Sequence, residues 1–206
     1  MTHTYLTKLS IKLFGSVVII FPIIAWYQNA TFSSNVSTFL NTAPVLGLIA
    51  FSIMWLHITG SAFRTFLEKY MDFDRFVGQS SNIVLILIIL HPLLIVINVG
   101  FKNFLNYSLS TYIWLGIIGF LMLITYDIQK ILSRNKFFEQ YRDKVLIIST
   151  LGFFVIFFHS LGIGSTLQSG PLRLVWIFYG ITAALATIYT FLIKKETWAK
   201  NTKHRK

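Results

Sequence analysis

Six runs of predominantly apolar residues dominate the sequence, near 11–27, 43–63, 80–100, 110–128, 145–164 and 172–193. A hydrocarbon layer about 30 Å thick is crossed by about 20 residues of helix, and each run has that length or nearly so. Lipid offers the backbone no hydrogen-bond partner, so a chain that crosses it must satisfy its own amides, which a helix does. Hydrophobic residues make up 55% of the chain and charged residues only 12%, about half the usual globular share. A soluble domain is thereby excluded. The expected fold is all-α, a polytopic membrane bundle of six transmembrane helices forming a single domain over residues 1–206. The first run follows Lys8 and Lys12 as a secretory leader would. No small-residue cleavage site follows it, so it is read as the first span.

The basic residues set the expected orientation. Lys8 and Lys12 precede span one, Arg64, Lys69 and Arg75 lie between spans two and three, and Lys130, Arg134, Lys136, Arg142 and Lys144 lie between four and five. Lys194, Lys195, Lys200, Lys203, Arg205 and Lys206 follow span six, while the opposite side holds only Lys102 and Arg173. By the positive-inside rule both termini are expected in the cytoplasm. The net charge of +11 is then mainly a topology signal, with membrane lipid as the expected partner. Nucleic acid is not expected as one, because the basic residues sit in short loops beside the membrane. The inner segments 64–76 and 129–144 mix charge with aromatic residues and are expected as interfacial helical turns. Trp26, Trp55, Trp114, Trp176 and Trp198 are expected in an aromatic belt near span ends. The outer segment 28–42 is polar, and Asn29, Asn35 and Asn106 begin N-x-S/T triplets.

Chemistry rests on few side chains. There is no cysteine, which excludes disulfides, iron–sulfur clusters and thiol catalysis. Of the five histidines, His3 and His204 lie in the tails, whereas His57, His91 and His159 lie within spans. Ionisable groups at membrane depth are costly and mark functional sites by default. The plain alternative is that each only hydrogen-bonds a neighbouring helix. Depth separates the three. His91 lies roughly 18 Å along its span from residue 79, and His159 roughly 21 Å along its span from residue 145. Those spans run in the same direction, so the two rings share a level in the outer half of the membrane. Two facing neutral imidazoles in a bundle core suit the axial positions of a haem iron. His57, on a span running the other way, falls in the inner half and is a secondary candidate only. Pro92 follows His91 and frees a carbonyl one turn back. Gly162, Gly164 and Ser165 follow His159, where either close helix packing or a porphyrin edge would use the space. Asp127 is placed to pair with Lys130 or Arg134.

With "ILHPLLIV" on the third span, "FFEQYRDK" ending an inner loop and "FFVIFFHSLGIGS" on the fifth, the chain resembles the ferric reductase-like transmembrane domain superfamily over roughly 45–193. That superfamily includes ferric reductases, NADPH oxidases and the haem-binding membrane subunit of the periplasmic methionine sulfoxide reductase system. The resemblance implies one b-type haem held by His91 and His159. It also implies an oxidoreductase subunit that passes electrons across the membrane. Many members carry a second histidine pair about 13–14 residues before the first. Here those positions are Val77 and Leu146, which cannot ligate iron. The inner site is then missing, or rebuilt around His57. Relatives that oxidise nicotinamide do so in a soluble flavin domain, and no Gly-rich phosphate fingerprint occurs here. Electrons are therefore expected from a separate cytoplasmic flavoprotein or a membrane quinol, bound for an outer-side acceptor such as ferric iron, oxygen or another protein. Haem propionates would call on Lys102, Ser165, Gln168 or Arg173. The expected location is the plasma (inner) membrane. Two other classes stay open: a small transporter or channel whose histidines relay protons, and a haem-free scaffold.

The charge count yields a first test. A reporter fused after Lys206 should be active only in its cytoplasmic form, and activity on the far side would overturn the orientation.

Overall fold

The structure is a computed structural model and describes residues 2–29, 42–107, 110–132 and 140–194. The glycosylation triplet at Asn35, Arg134, Lys136, Trp198, His204 and the basic tail from Lys195 lie outside the described residues. So do the side chains of His3, Asn29, Asn106 and Lys194.

Among the described residues eight α-helices follow one another: α1 Thr2–Asn29, α2 Ala43–Ala62, α3 Arg64–Leu67, α4 Phe73–Val99, α5 Phe101–Tyr107, α6 Thr111–Leu132, α7 Arg142–Ile163 and α8 Gly170–Ile188. A 3₁₀ turn, Ser165–Leu167, precedes α8, and a π-helical turn, Tyr189–Lys194, follows it. Helices α1, α2, α4, α6, α7 and α8 are each long and apolar enough to cross a membrane. The chain is thus a multi-pass integral membrane protein of all-α class.

Local sequence explains several helix boundaries. Helix α4 begins at Phe73, seven residues before its apolar run, because Asp72 caps it: the carboxylate accepts the Arg75 N–H at 2.9 Å. An N-cap of this kind satisfies one of the orphan amides of a first turn. Asp74 also pairs with Arg64 across the turn between α3 and α4. Of the interfacial segment expected over 64–76, only the short α3 and the following turn are separate from the spans. Helix α6 runs to Leu132 and α7 starts at Arg142, so the helical turns expected over 129–144 belong, where described, mostly to the spans. Pro44 and Pro171 sit in first turns, where a missing N–H costs nothing. Pro22 and Pro92 lie inside α1 and α4 without ending them.

The helices associate as pairs. Helix α2 packs along α4 and α6 along α7, and these are the most extensive contacts in the molecule. Helix α8 lies on α2, with α1 against both. The heart of the bundle is aromatic. Phe51 is stacked between Phe153 and Trp176 with centroids 4.4 Å away on each side, and Trp55 stacks on Tyr179 at 4.5 Å. Trp55 and Trp176 are therefore buried core residues and not members of a belt. Their indole N–H groups explain the departure, since each finds a hydroxyl acceptor: Thr182 Oγ1 at 2.9 Å and Ser160 Oγ at 2.8 Å. Trp114, by contrast, is exposed on the surface.

Because Phe51 joins α2, α7 and α8, Phe51→Ala should cost about 3 kcal/mol of stability. Thermal unfolding of the detergent-solubilised protein, followed by circular dichroism, should show a clearly lowered midpoint. An unchanged midpoint would mean that the ring stack does not hold the bundle together.

Candidate functional site

His91 projects from α4 toward the first turn of α2. Its Nδ1 lies 2.7 Å from the carbonyl oxygen of Ala43. His159 projects from α7 toward the first turn of α6, and its Nδ1 lies 2.7 Å from the carbonyl oxygen of Tyr112. In both pairs the later helix supplies the ring and the earlier one supplies a carbonyl at its start. The separations in sequence are nearly equal, 48 and 47 residues. Helices α2 and α6 both start at the side where α1–α2 and α5–α6 connect. The two rings therefore sit at the same end of the bundle.

A glycine makes each approach feasible. A helix carbonyl points along the axis toward the residue four positions on, and side chains four apart share a face. A ring reaching the carbonyl of residue 43 or 112 from a neighbouring helix must pass over residue 47 or 116. Both are glycine. A Cβ on Gly47 would meet the His91 ring at 3.2 Å, and one on Gly116 would meet the His159 ring at 2.5 Å. Gly162 has a different partner: a Cβ there would run into the Tyr112 ring, so it serves close packing of α7 on α6.

The carbonyls also decide which ring nitrogen carries the proton. A carbonyl oxygen only accepts, so Nδ1 of each ring must donate. In a neutral imidazole Nε2 then holds the lone pair. Neither Nε2 makes a hydrogen bond among the described residues. The result is two neutral rings at one level, each locked by a backbone acceptor and each offering Nε2 as a metal ligand. Carbonyl-anchored imidazoles of this kind are how metal-binding histidines are usually oriented. His91 and His159 are near enough to interact electrostatically, yet α4 and α7 are not packed along one another.

His57 is arranged differently. Its Nε2 lies 2.7 Å from Ser80 Oγ, and Ser80 donates its only proton to the Phe76 carbonyl at 2.6 Å. The satisfied arrangement puts the proton on Nε2 of His57, which donates to Ser80. This is the opposite tautomer, and Nε2 is already used. His57 lies ten residues beyond Gly47 on α2, about 15 Å farther along the axis. The structure brings His91 and His159 to one end and leaves His57 apart.

The other polar candidates have structural duties. Arg173 donates to the carbonyls of Leu167 and Gln168 at 3.1 and 3.0 Å, and Gln168 donates to those of Leu161 and Gly164 at 3.0 and 3.2 Å. These bonds tie down the end of α7 and the 3₁₀ turn. Asp127 interacts electrostatically with Lys130. The ring of His91 takes its anchor from α2, across the bundle, and not from the carbonyl that Pro92 frees on its own helix. The glycine seats and carbonyl anchors were missed in the sequence. Their only trace there is a glycine in the first turns of spans two and four, 44 and 43 residues before each histidine.

Among the described residues no cluster of three or more His, Asp or Glu side chains is placed to hold a metal ion. Two imidazoles alone suit a metal whose remaining positions are filled by a ligand of its own, as a porphyrin fills them. The donor set and the two Nε2 atoms left without a hydrogen bond among the described residues fit such a group. No family model, no curated protein and no solved structure matches the chain. The fold defines a polytopic helical membrane protein, with two carbonyl-anchored histidines at one end of its bundle.

The seats differ in tightness, which can be measured without any cofactor. Gly116→Ala should break the bond to Tyr112, at a cost of about 1–3 kcal/mol for a polar pair left unsatisfied. Gly47→Ala needs only a shift of a few tenths of an ångström. Nitrogen-15 NMR of the ring tautomers should show His159 perturbed in Gly116→Ala and His91 nearly unchanged in Gly47→Ala. Equal responses would refute the glycine seats.

Proposed function

We propose that the chain is a haem-b electron-transfer protein of the membrane, similar in kind to the ferric reductase-like transmembrane domain, with His91 and His159 as the two axial ligands of one haem. The observation that carries this reading is the matched pair of carbonyl-locked rings, each with Nε2 free, at the same end of a bundle spanning the membrane. The plainer reading, in which each histidine only bridges two helices, is satisfied by one ring nitrogen. It gives no reason for the second nitrogen of both rings to stay open at one level. His57, about 15 Å farther along α2 than the seat of the His91 ring, has no ligand role in this reading.

The chain's own residues hold and orient. Ala43 and Tyr112 fix the tautomers, Gly47 and Gly116 admit the rings, and the Phe51–Phe153–Trp176 stack keeps α7 against α2 and α8. Bound haem would supply a one-electron centre, and two imidazoles would make its iron six-coordinate, suited to electron transfer rather than ligand exchange. The basic residues put both termini in the cytoplasm and the site in the outer half of the plasma (inner) membrane. Electrons then come from a separate cytoplasmic flavoprotein or a membrane quinol and leave to an outer-side acceptor. The chain is accordingly an oxidoreductase subunit that depends on a donor.

Purified protein should show a reduced-minus-oxidised spectrum of low-spin b-type haem, near one haem per chain. His91→Leu and His159→Leu should each abolish bound haem or leave a high-spin remnant, whereas His57→Leu should keep the spectrum. Colourless but folded protein, or haem lost with His57→Leu and kept with His91→Leu, would refute the assignment.

A further inference from the structure

Two helix pairs, α2–α4 and α6–α7, each carry one of the paired histidines, and contacts between the pairs are sparse. The Phe51–Phe153 stack joins them at one point, and a second contact is needed to fix how far apart their other ends stand. Lys130, near the end of α6 remote from the histidines, reaches across to the first turns of α4. Its Nζ donates to Ser81 Oγ at 3.0 Å, Asn82 Oδ1 at 3.1 Å and the Gly78 carbonyl at 3.4 Å. An ammonium has three N–H groups, and three acceptors meet it here. Ser81 is turned to receive it, because its own proton goes to the Gly78 carbonyl at 3.1 Å. Asp127, three residues earlier on the same helix, is near enough to interact electrostatically with Lys130. This is a charge-assisted strap between the two pairs.

We infer that Lys130 is a positioning residue whose ammonium sets the separation of the two helix pairs, and with it the distance between the His91 and His159 rings. The link to iron rests on the haem reading, whereas the strap itself does not. Gly116, under the His159 ring, and Lys130 are fourteen residues apart on α6, about 21 Å of helix. The histidine pair and the strap thus act near opposite ends of the same interface. Without the strap, the α6–α7 pair swings about its remaining contacts and the rings change spacing.

The absence of cysteine makes site-specific spin labels unambiguous. With labels at Ile83→Cys on α4 and Leu146→Cys on α7, both exposed positions, pulsed dipolar spectroscopy reads the separation of the pairs with or without haem. Lys130→Met should broaden and shift the distance distribution, and the double variant Ser81→Ala/Asn82→Ala should reproduce the change from the other side. Lys130→Arg, which keeps charge and donors, should restore a narrow distribution. In haem-loaded protein Lys130→Met should also release haem about tenfold faster, the scale of one lost charged hydrogen bond, and show a smaller low-spin fraction. Unchanged label distances in both the Lys130→Met and the double variant would overturn the strap. Changed distances in a protein that binds no haem would uphold the strap and refute the haem reading.

Discussion

A ring nitrogen on an apolar membrane-spanning helix finds few partners in lipid, so its hydrogen bond is best made inside the protein. The bonds from His91 to the Ala43 carbonyl and from His159 to the Tyr112 carbonyl meet that requirement. Each also ties the start of one helix to a later helix that runs back past it. The pairing of α2 with α4 and of α6 with α7, the glycines at 47 and 116 and the open Nε2 atoms all agree with these two bonds. A carbonyl already engaged in its helix can accept a second proton because it has two lone pairs. The rings are held without breaking either first turn.

The three membrane histidines show how little residue type alone decides. His57 lies in the same apolar setting, but its neighbour is a serine hydroxyl whose proton is committed to Phe76. That neighbour takes Nε2 and leaves the opposite tautomer from the one His91 and His159 adopt. The same imidazole donates from Nε2 in one place and from Nδ1 in the other two. The difference comes from whether the partner is a hydroxyl or a carbonyl.

The aromatic core works at a different scale. In lipid the hydrophobic effect does little to bring helices together, so packing and internal hydrogen bonds carry the association. Phe51, Phe153 and Trp176 supply stacked area, and the indole nitrogens of Trp55 and Trp176 add cross-helix bonds to Thr182 and Ser160. By position along their spans these two tryptophans look like interfacial anchors. A tryptophan within a turn or two of a span end satisfies the belt pattern and a core position equally well, and only a neighbouring hydroxyl tells them apart. The start of α4 was obscured for a related reason: apolar run length does not register a cap, and Asp72 extends the helix through polar residues before the hydrocarbon begins.

What the sequence determined by itself is everything that depends on composition along one helix: six apolar spans, the all-α class, the basic count that favours one side, and the positions of His91 and His159 along spans of the same direction. Rise per residue is a local quantity, so depth could be computed without knowing any neighbour. The tertiary structure alone decided which nitrogen each ring offers, which glycines make room for it, which histidine is excluded, and that Lys130 straps one helix pair to the other. Those properties belong to contacts between residues 23 to 52 positions apart, where the partner is a backbone carbonyl or a small polar side chain. A carbonyl is common to every residue, and so the sequence carries no mark of the ones that were used.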